Sequence, residues 1–368
     1  MSLFAGAKPN PLNNTAHILM QAALETARQG LLAIGTPNVD RLALMVVLLT
    51  GHEGQDGHPW AGVRTDEEHF SASLLKVAAM YAAFDLRSSA DQLVAPAGLT
   101  SWPDIEAALR AEFDPEIDAH TPVLISDPGL SPKLRPQDRH RKPDYGAVLK
   151  PGTGSVFVVD FTPGQLSAFR DMIVGQHNPG ATTTIHGLGY PYLNGKLADD
   201  GFFESSNNKG VWLAGDYTNE TNWPSARIDS VNDGLVAQAT TVEHFARMLT
   251  LLFDDRLIGP TSNAEMRSLM QQAGAWFHHD GLIPGPMIWP RDGRFIATAS
   301  KVGLGPLKSG KQTFSEGLVV HDTSRALDFL VVWQNVHDTL GPGQVPFRRT
   351  FEPVAQLIEA TISAFVPL

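Results

Sequence analysis

Two residues three apart, Ser73 and Lys76 in the stretch FSASLLKVAAMYAAF (70–84), have the composition of an activated nucleophile. A serine hydroxyl attacks a carbonyl well only when a neighbouring base takes its proton, and a lysine serves as that base only as the neutral amine. Residues Val77 to Phe84 are apolar on every helical face, which predicts a helix buried within the fold. On such a helix, positions three apart face one side with β-carbons about 5–6 Å apart, so the amine reaches the hydroxyl. Burial lowers the pKa of an ammonium, as does a second cation nearby. The helix N-terminus also favours an oxyanion developing beside Ser73. The same pair also reads as a capping serine and a lysine whose head snorkels out of the core. A second Ser-x-x-Lys, Ser206 and Lys209 in ESSNNKG, lies in an Asn- and Gly-rich stretch and predicts only a loop.

Other chemistries are poorly represented. There is no cysteine, which removes disulfides, thiol catalysis and Cys-type zinc sites. Among the thirteen histidines, HEGQDGH (52–58) and HHD (278–280) lack helical ligand spacing and read as surface turns, so no metal and no cofactor is expected. Neither a P-loop, a dinucleotide glycine pattern nor a Gly-x-Ser-x-Gly elbow is present. The net charge of -11 argues against nucleic-acid binding, which needs clustered Lys and Arg. One basic stretch, KLRPQDRHRK (133–142), sits among prolines and reads as a solvated loop. The N-terminus MSLFAGAKPNPLNN has no secretory pattern, and LALMVVLL (42–49) falls far short of the ~20 residues of a membrane helix. A cytoplasmic protein without a membrane partner is expected; a secreted chain already trimmed of its signal reads the same way.

The elements that must position Ser73 and Lys76 come from both chain ends. A helix is predicted over 15–30, capped by Thr15 and ended by Gly30. RLALMVVLLTG then reads as a buried strand, with WAGVRTDEEHF as its hairpin partner. A second strand-rich group covers 294–305, 316–322 and 327–336. The final segment places Val354, Leu357, Ile358, Ile362 and Phe365 on one helical face, with Pro353 in the first turn. Helix signals at 103–113, 164–176, 241–253 and 262–272 fill the middle, Ser262 and Glu265 forming a capping box, and a Pro-rich insert spans about 115–163. This order predicts an α+β chain in two parts. Residues 1–85 and 290–368 build a sheet from both termini, 86–289 form a helical lobe, and a cleft lies between them.

The order SASLLK, LSAFRDMIVGQHNPGATTTIHGLG, TTVEHFARMLTLLFDDRLIGPTSNAEMRSLM and FIATASKVGLG resembles the serine β-lactamase and penicillin-binding-protein superfamily, nearest to its class A branch. The resemblance implies a β-lactamase/transpeptidase-like fold, with Ser73 as the acylated nucleophile and Lys76 as its base. Lys301-Val302-Gly303 matches the family's Lys-Thr-Gly motif with Val302 in the threonine position. Lys301 is then expected to supply positive potential and to depress the Lys76 pKa, while the Ser73 and Leu304 N–H groups form the oxyanion hole. KSG (308–310) fits the motif letters better but follows Pro306 in a turn-like stretch, so Lys301 is preferred. Gln176-His177-Asn178 stands where the family has Ser-x-Asn. Asn178 is placed to hold Lys76 or a substrate amide, whereas Gln176 cannot relay a proton to a leaving group, which favours esters over amides.

No Glu-x-x-Leu-Asn string for deacylation occurs; GVWLAGDYTNETNWPSARIDSV offers Asp216 and Glu220, and its YTN (217–219) reads as a polar turn. The implied activity is cofactor-independent hydrolysis of a small ester or amide through an acyl-enzyme on Ser73, with Gln176, Asn178, Gly303 and Leu304 binding the substrate. A true β-lactamase or D-amino-acid peptidase acting on a β-lactam-like substrate is the second expectation. The third is a non-catalytic acyl trap or binding protein with a degenerate site.

Overall fold

Apolar runs from both ends of the chain build one antiparallel sheet. The computed structural model describes residues 2–49, 57–122, 142–153, 157–215, 217, 226–273, 294–338 and 348–366. The sheet strands are β1 (Ala43–Leu48), β2 (Trp60–Val63), β3 (Phe295–Pro306), β4 (Gln312–Asp322) and β5 (Leu327–Asp338). Their order is β3-β4-β5-β1-β2, with antiparallel neighbours throughout. Along β1, Leu44, Val46 and Leu48 enter one core and Ala43, Met45 and Val47 the other. A strand covered on both faces shows no polar alternation, which accounts for the unbroken apolar run.

The outer core is closed by α1 (Ile18–Ala33) and α9 (Arg348–Ser363), through Met20, Leu24, Val354, Leu357, Ile358 and Ile362. Both helices correct the sequence expectation at their ends. His17, not Thr15, caps α1, its Nδ1 accepting from the Met20 N–H at 3.4 Å, and the helix runs past Gly30 to Ala33. Pro353 lies inside α9 rather than in its first turn. Phe351 packs on Phe314 and Trp333, with ring centroids 5.3 and 5.8 Å apart. That burial offsets the one helical hydrogen bond the proline cannot donate.

On the inner face, a 3₁₀ turn (Ala72–Leu75) leads into α2 (Lys76–Val94), which is buried at nearly every position. Ala78, Ala79, Ala82 and Ala83 let its neighbours approach closely, and Phe84 packs on Phe161 and Phe169 at 4.8 and 5.1 Å. Around it lie α3 (Trp102–His120), α4 (Pro163–Phe169), α5 (Asn178–Leu188), α6 (Tyr190–Asp199), α7 (Val242–Phe253) and α8 (Pro260–Gln271). Ser262 and Glu265 do not form a capping box. Both lie within α8 and bind Arg87 of α2, Nη2 to Ser262 at 3.1 Å and Nη1 to Glu265 at 2.9 Å. A buried guanidinium needs acceptors, and Pro260 leaves no N–H to cap at its own position.

The expected Pro-rich insert is partly ordered structure. The α3 helix continues through Pro115, and Leu149–Pro151 pairs with Val159–Phe161. Residues 123–141, which include 133–141 of the basic stretch, and 154–156 lie outside the described residues. So do residues 52–56 of HEGQDGH and all of HHD. His58 bonds Leu48 O and Asp254, each at 2.7 Å. Among the described residues, no helix is long and apolar enough to cross a membrane.

Candidate active site

The turn carrying Ser73 is held against the edge of the sheet. Ala72, just before it, has φ +50°, in the left-handed region that ordinary side chains avoid. Such a conformation persists only where its surroundings hold it. Here the Ser71 carbonyl accepts from Ser315 Oγ at 2.7 Å, and β3 presses on the turn through two glycines. A β-carbon on Gly303 would lie 2.4 Å from the Ser71 carbonyl and 2.1 Å from Ser315 Oγ, and one on Gly305 would lie 2.8 Å from Ala72 Cβ. Gly303 is therefore required by close approach.

Lys76 is fully buried one helical turn beyond the partly buried Ser73. Its Nζ donates to the carbonyls of Gln176 and His177 at 3.1 and 2.7 Å and to Asn178 Oδ1 at 2.9 Å. Those three bonds use all its N–H groups, and none joins it to Ser73 among the described residues. Lys301 Nζ donates to Gln176 Oε1 and, at 2.8 Å, to the Val302 carbonyl. Both lysines thus meet on Gln176, whose φ of +61° turns its carbonyl to one and its side chain to the other.

Asp171 holds this loop in place. Its carboxylate bonds His177 Nδ1 and the Gly180 N–H, both at 2.7 Å, and its carbonyl accepts from the His177 N–H at 2.9 Å. Burial pushes Asp171 up, but the His177 and Gly180 bonds outweigh it and hold the carboxyl below its ordinary value. Burial lowers Lys76 from 10.5 to about 8, against the opposing pull of Asp171. Burial drives Lys301 well below the ordinary lysine value, and the neighbouring Lys76 adds to the effect while Glu316 resists it. Lys76 finds three acceptors and Lys301 two, so Lys76 is the better placed of the two to hold a proton.

No family model and no curated protein matches the chain. Its structure is similar to a class A β-lactamase from Bacteroides cellulosilyticus DSM 14838, at 12% identity and TM-score 0.52, covering 95% of this chain and 99% of that one. It is also similar to a β-lactamase from Chitinophaga pinensis DSM 2588, at 11% identity and TM-score 0.50, covering 94% and 98%. The fold is that of the serine β-lactamases.

On this α+β β-lactamase fold, the predicted site residues fall in one place. Ser73, Lys76, Gln176, Asn178, Lys301 and Gly303 come together from the 3₁₀ turn, the start of α2, the loop into α5 and β3. Val302 faces away, packed in the outer core, so a valine suits a position that turns from the cleft. Leu304 follows on the sheet edge, paired with Phe314, its side chain 43% exposed. Lys308 of the competing KSG lies in the hairpin turn and donates to the Asp233 and Leu235 carbonyls at 2.8 and 3.0 Å. Lys209 pairs with Asp66 at 3.3 Å.

Tyr217 adds contacts that the sequence reading did not foresee: its ring covers Lys76 Nζ at 5.1 Å from the centroid, and its hydroxyl donates to the Ala72 carbonyl at 3.1 Å. The signal available was an aromatic residue in an otherwise polar run. Asp216 and Glu220 lie outside the described residues.

Proposed function

We propose that the protein is a serine hydrolase that forms an acyl-enzyme on Ser73, with a small activated ester as its preferred substrate class. The observation that carries the reading is the meeting of Lys76 and Lys301 on Gln176, beside a turn held in left-handed conformation just ahead of Ser73. The likeness to β-lactamases supports the same chemistry. In acylation, the Ser73 proton passes to neutral Lys76 as Oγ bonds the carbonyl carbon. The oxyanion collapses and breaks the bond to the alkoxide, which leaves with a proton from solvent as Lys76 gives its own back to solvent; water then adds across the acyl–Oγ bond, releasing the acid and restoring the Ser73 hydroxyl. Gly303 and Leu304 line the edge strand along which the substrate lies, and Asn178 keeps Lys76 in reach. The division into 1–85 with 290–368 and 86–289 puts this site at the junction of the two parts.

The test is steady hydrolysis of a chromogenic short-chain ester. A single burst without turnover would indicate an acyl trap instead, and no reaction would end the proposal.

Gln176 sets the leaving-group limit. Its Oε1 accepts from Lys301 and its Nε2 donates to the Ile173 carbonyl at 2.8 Å, so it has no hydroxyl to return a proton to a departing amine. Activated esters are expected to react far faster than penicillins, and Gln176→Ser to narrow the gap, measured as kcat/KM ratios on both substrates. A wild type equally fast on both would refute this role.

The rate is also expected to rise with pH through a midpoint near 8, where Lys76 loses its proton. Because burial, rather than Lys301, is the main cause of that value, Lys301→Met should leave the midpoint in place. A rise of a full unit would show that Lys301 is the cation after all.

A further inference from the structure

We propose that Tyr217 is a positioning residue for the nucleophile, its hydroxyl fixing the Ala72 carbonyl so that the left-handed turn presents Ser73 while its ring covers Lys76. The inference rests on Ser73 being the nucleophile.

Ala72 has the only unusual backbone conformation within the Ser71–Lys76 segment, φ +50°. A non-glycine residue in this region relaxes unless its peptide groups are held on both sides. Ser315 holds the carbonyl before it, and Tyr217 holds its own carbonyl at 3.1 Å. Tyr217 is in turn tied to α5, its N–H donating to Thr182 Oγ1 at 3.3 Å. That helix begins at Asn178, the residue that binds Lys76. One side chain thus links the nucleophile turn, the lysine and the helix that holds it. Burial pushes the phenol pKa far up, so the hydroxyl keeps its proton and acts as a donor. The ring face stands within the ~6 Å over which an aromatic attracts an ammonium, and it excludes water from that side of Lys76. The titratable groups around Lys76 are Asp171, ahead of α5, with its partner His177, and Lys301, on β3; none is altered by changes at Tyr217.

Wild type, Tyr217→Phe and Tyr217→Ala are compared by the rate at which a fluorophosphonate labels Ser73 and by the pH dependence of that rate. Tyr217→Phe keeps the cover and loses one neutral hydrogen bond, so labelling should slow roughly three- to tenfold with the pH midpoint unmoved. Tyr217→Ala admits water to Lys76, so labelling should slow further and the midpoint should rise from about 8 toward the ordinary 10.5. A Tyr217→Phe protein as fast as wild type overturns the proposal, as does an unmoved midpoint in Tyr217→Ala. A wild type unlabelled at Ser73 ends the underlying reading as well, whereas a labelled wild type matched by Tyr217→Phe ends only this one.

Discussion

Ser73→Ala is expected to lower ester turnover by a factor on the order of 10⁶, the loss seen when an acylated nucleophile is removed from a site that otherwise stays intact. The protein should still fold, because Ser73 is only partly buried and, among the described residues, its hydroxyl makes no bond that holds the turn. The bonds that do, from Ser315 and Tyr217, are made to the carbonyls of Ser71 and Ala72. Stability should therefore stay within about 0.5 kcal/mol of wild type, which a melting curve checks. Mass spectrometry after fluorophosphonate treatment locates the nucleophile directly. An adduct at Ser206, on a surface turn, or at Ser300, which donates to buried Glu316 at 2.7 Å, would sink the assignment.

The second large effect is expected at Lys76. Lys76→Ala should cost about 10²–10⁴-fold in turnover, the range for loss of a general base. It should also remove the pH limb near 8, since the group that titrates there is gone. The sign follows from the base role: below about 8 the amine is protonated and cannot accept the Ser73 proton, so wild-type activity falls as pH is lowered. The variant also leaves the Gln176 and His177 carbonyls and Asn178 Oδ1 without their donor. A moderate loss of stability, about 1–3 kcal/mol, should accompany the kinetic defect. Partial rescue by a small primary amine would separate the two, because an added amine restores the base without rebuilding the side chain. A variant that keeps the limb near 8 would place the titration on another group.

Local pattern determined much of the architecture. An unbroken apolar run at 43–48 can bury all its side chains as a strand only if both faces are covered, and β1 lies between β2 and β5 with a core on each side. Apolar residues on every side of 77–84 require a helix inside the fold, and α2 is that helix. The spacing of Ser73 and Lys76 and the glycine after Val302 were legible for the same reason. Each depends on residues near in sequence.

What tertiary structure alone decided involves partners far along the chain. Lys76 finds its acceptors at Gln176, His177 and Asn178, and Lys301 meets the same loop from β3. Which lysine carries the charge depends on how deeply each is buried and how many acceptors each finds, and neither can be read from a spacing of three. Ser262 and Glu265 have the letters of a cap but serve Arg87, because a buried guanidinium has a stronger claim on acceptors than a solvated helix end. Tyr217 reads locally as part of a turn, since Asn, Thr and Gly neighbours favour turns wherever the chain runs. Only its own contacts with α5 and the Ala72 turn make it part of the site, across 35 and 145 residues of chain that local propensity does not encode.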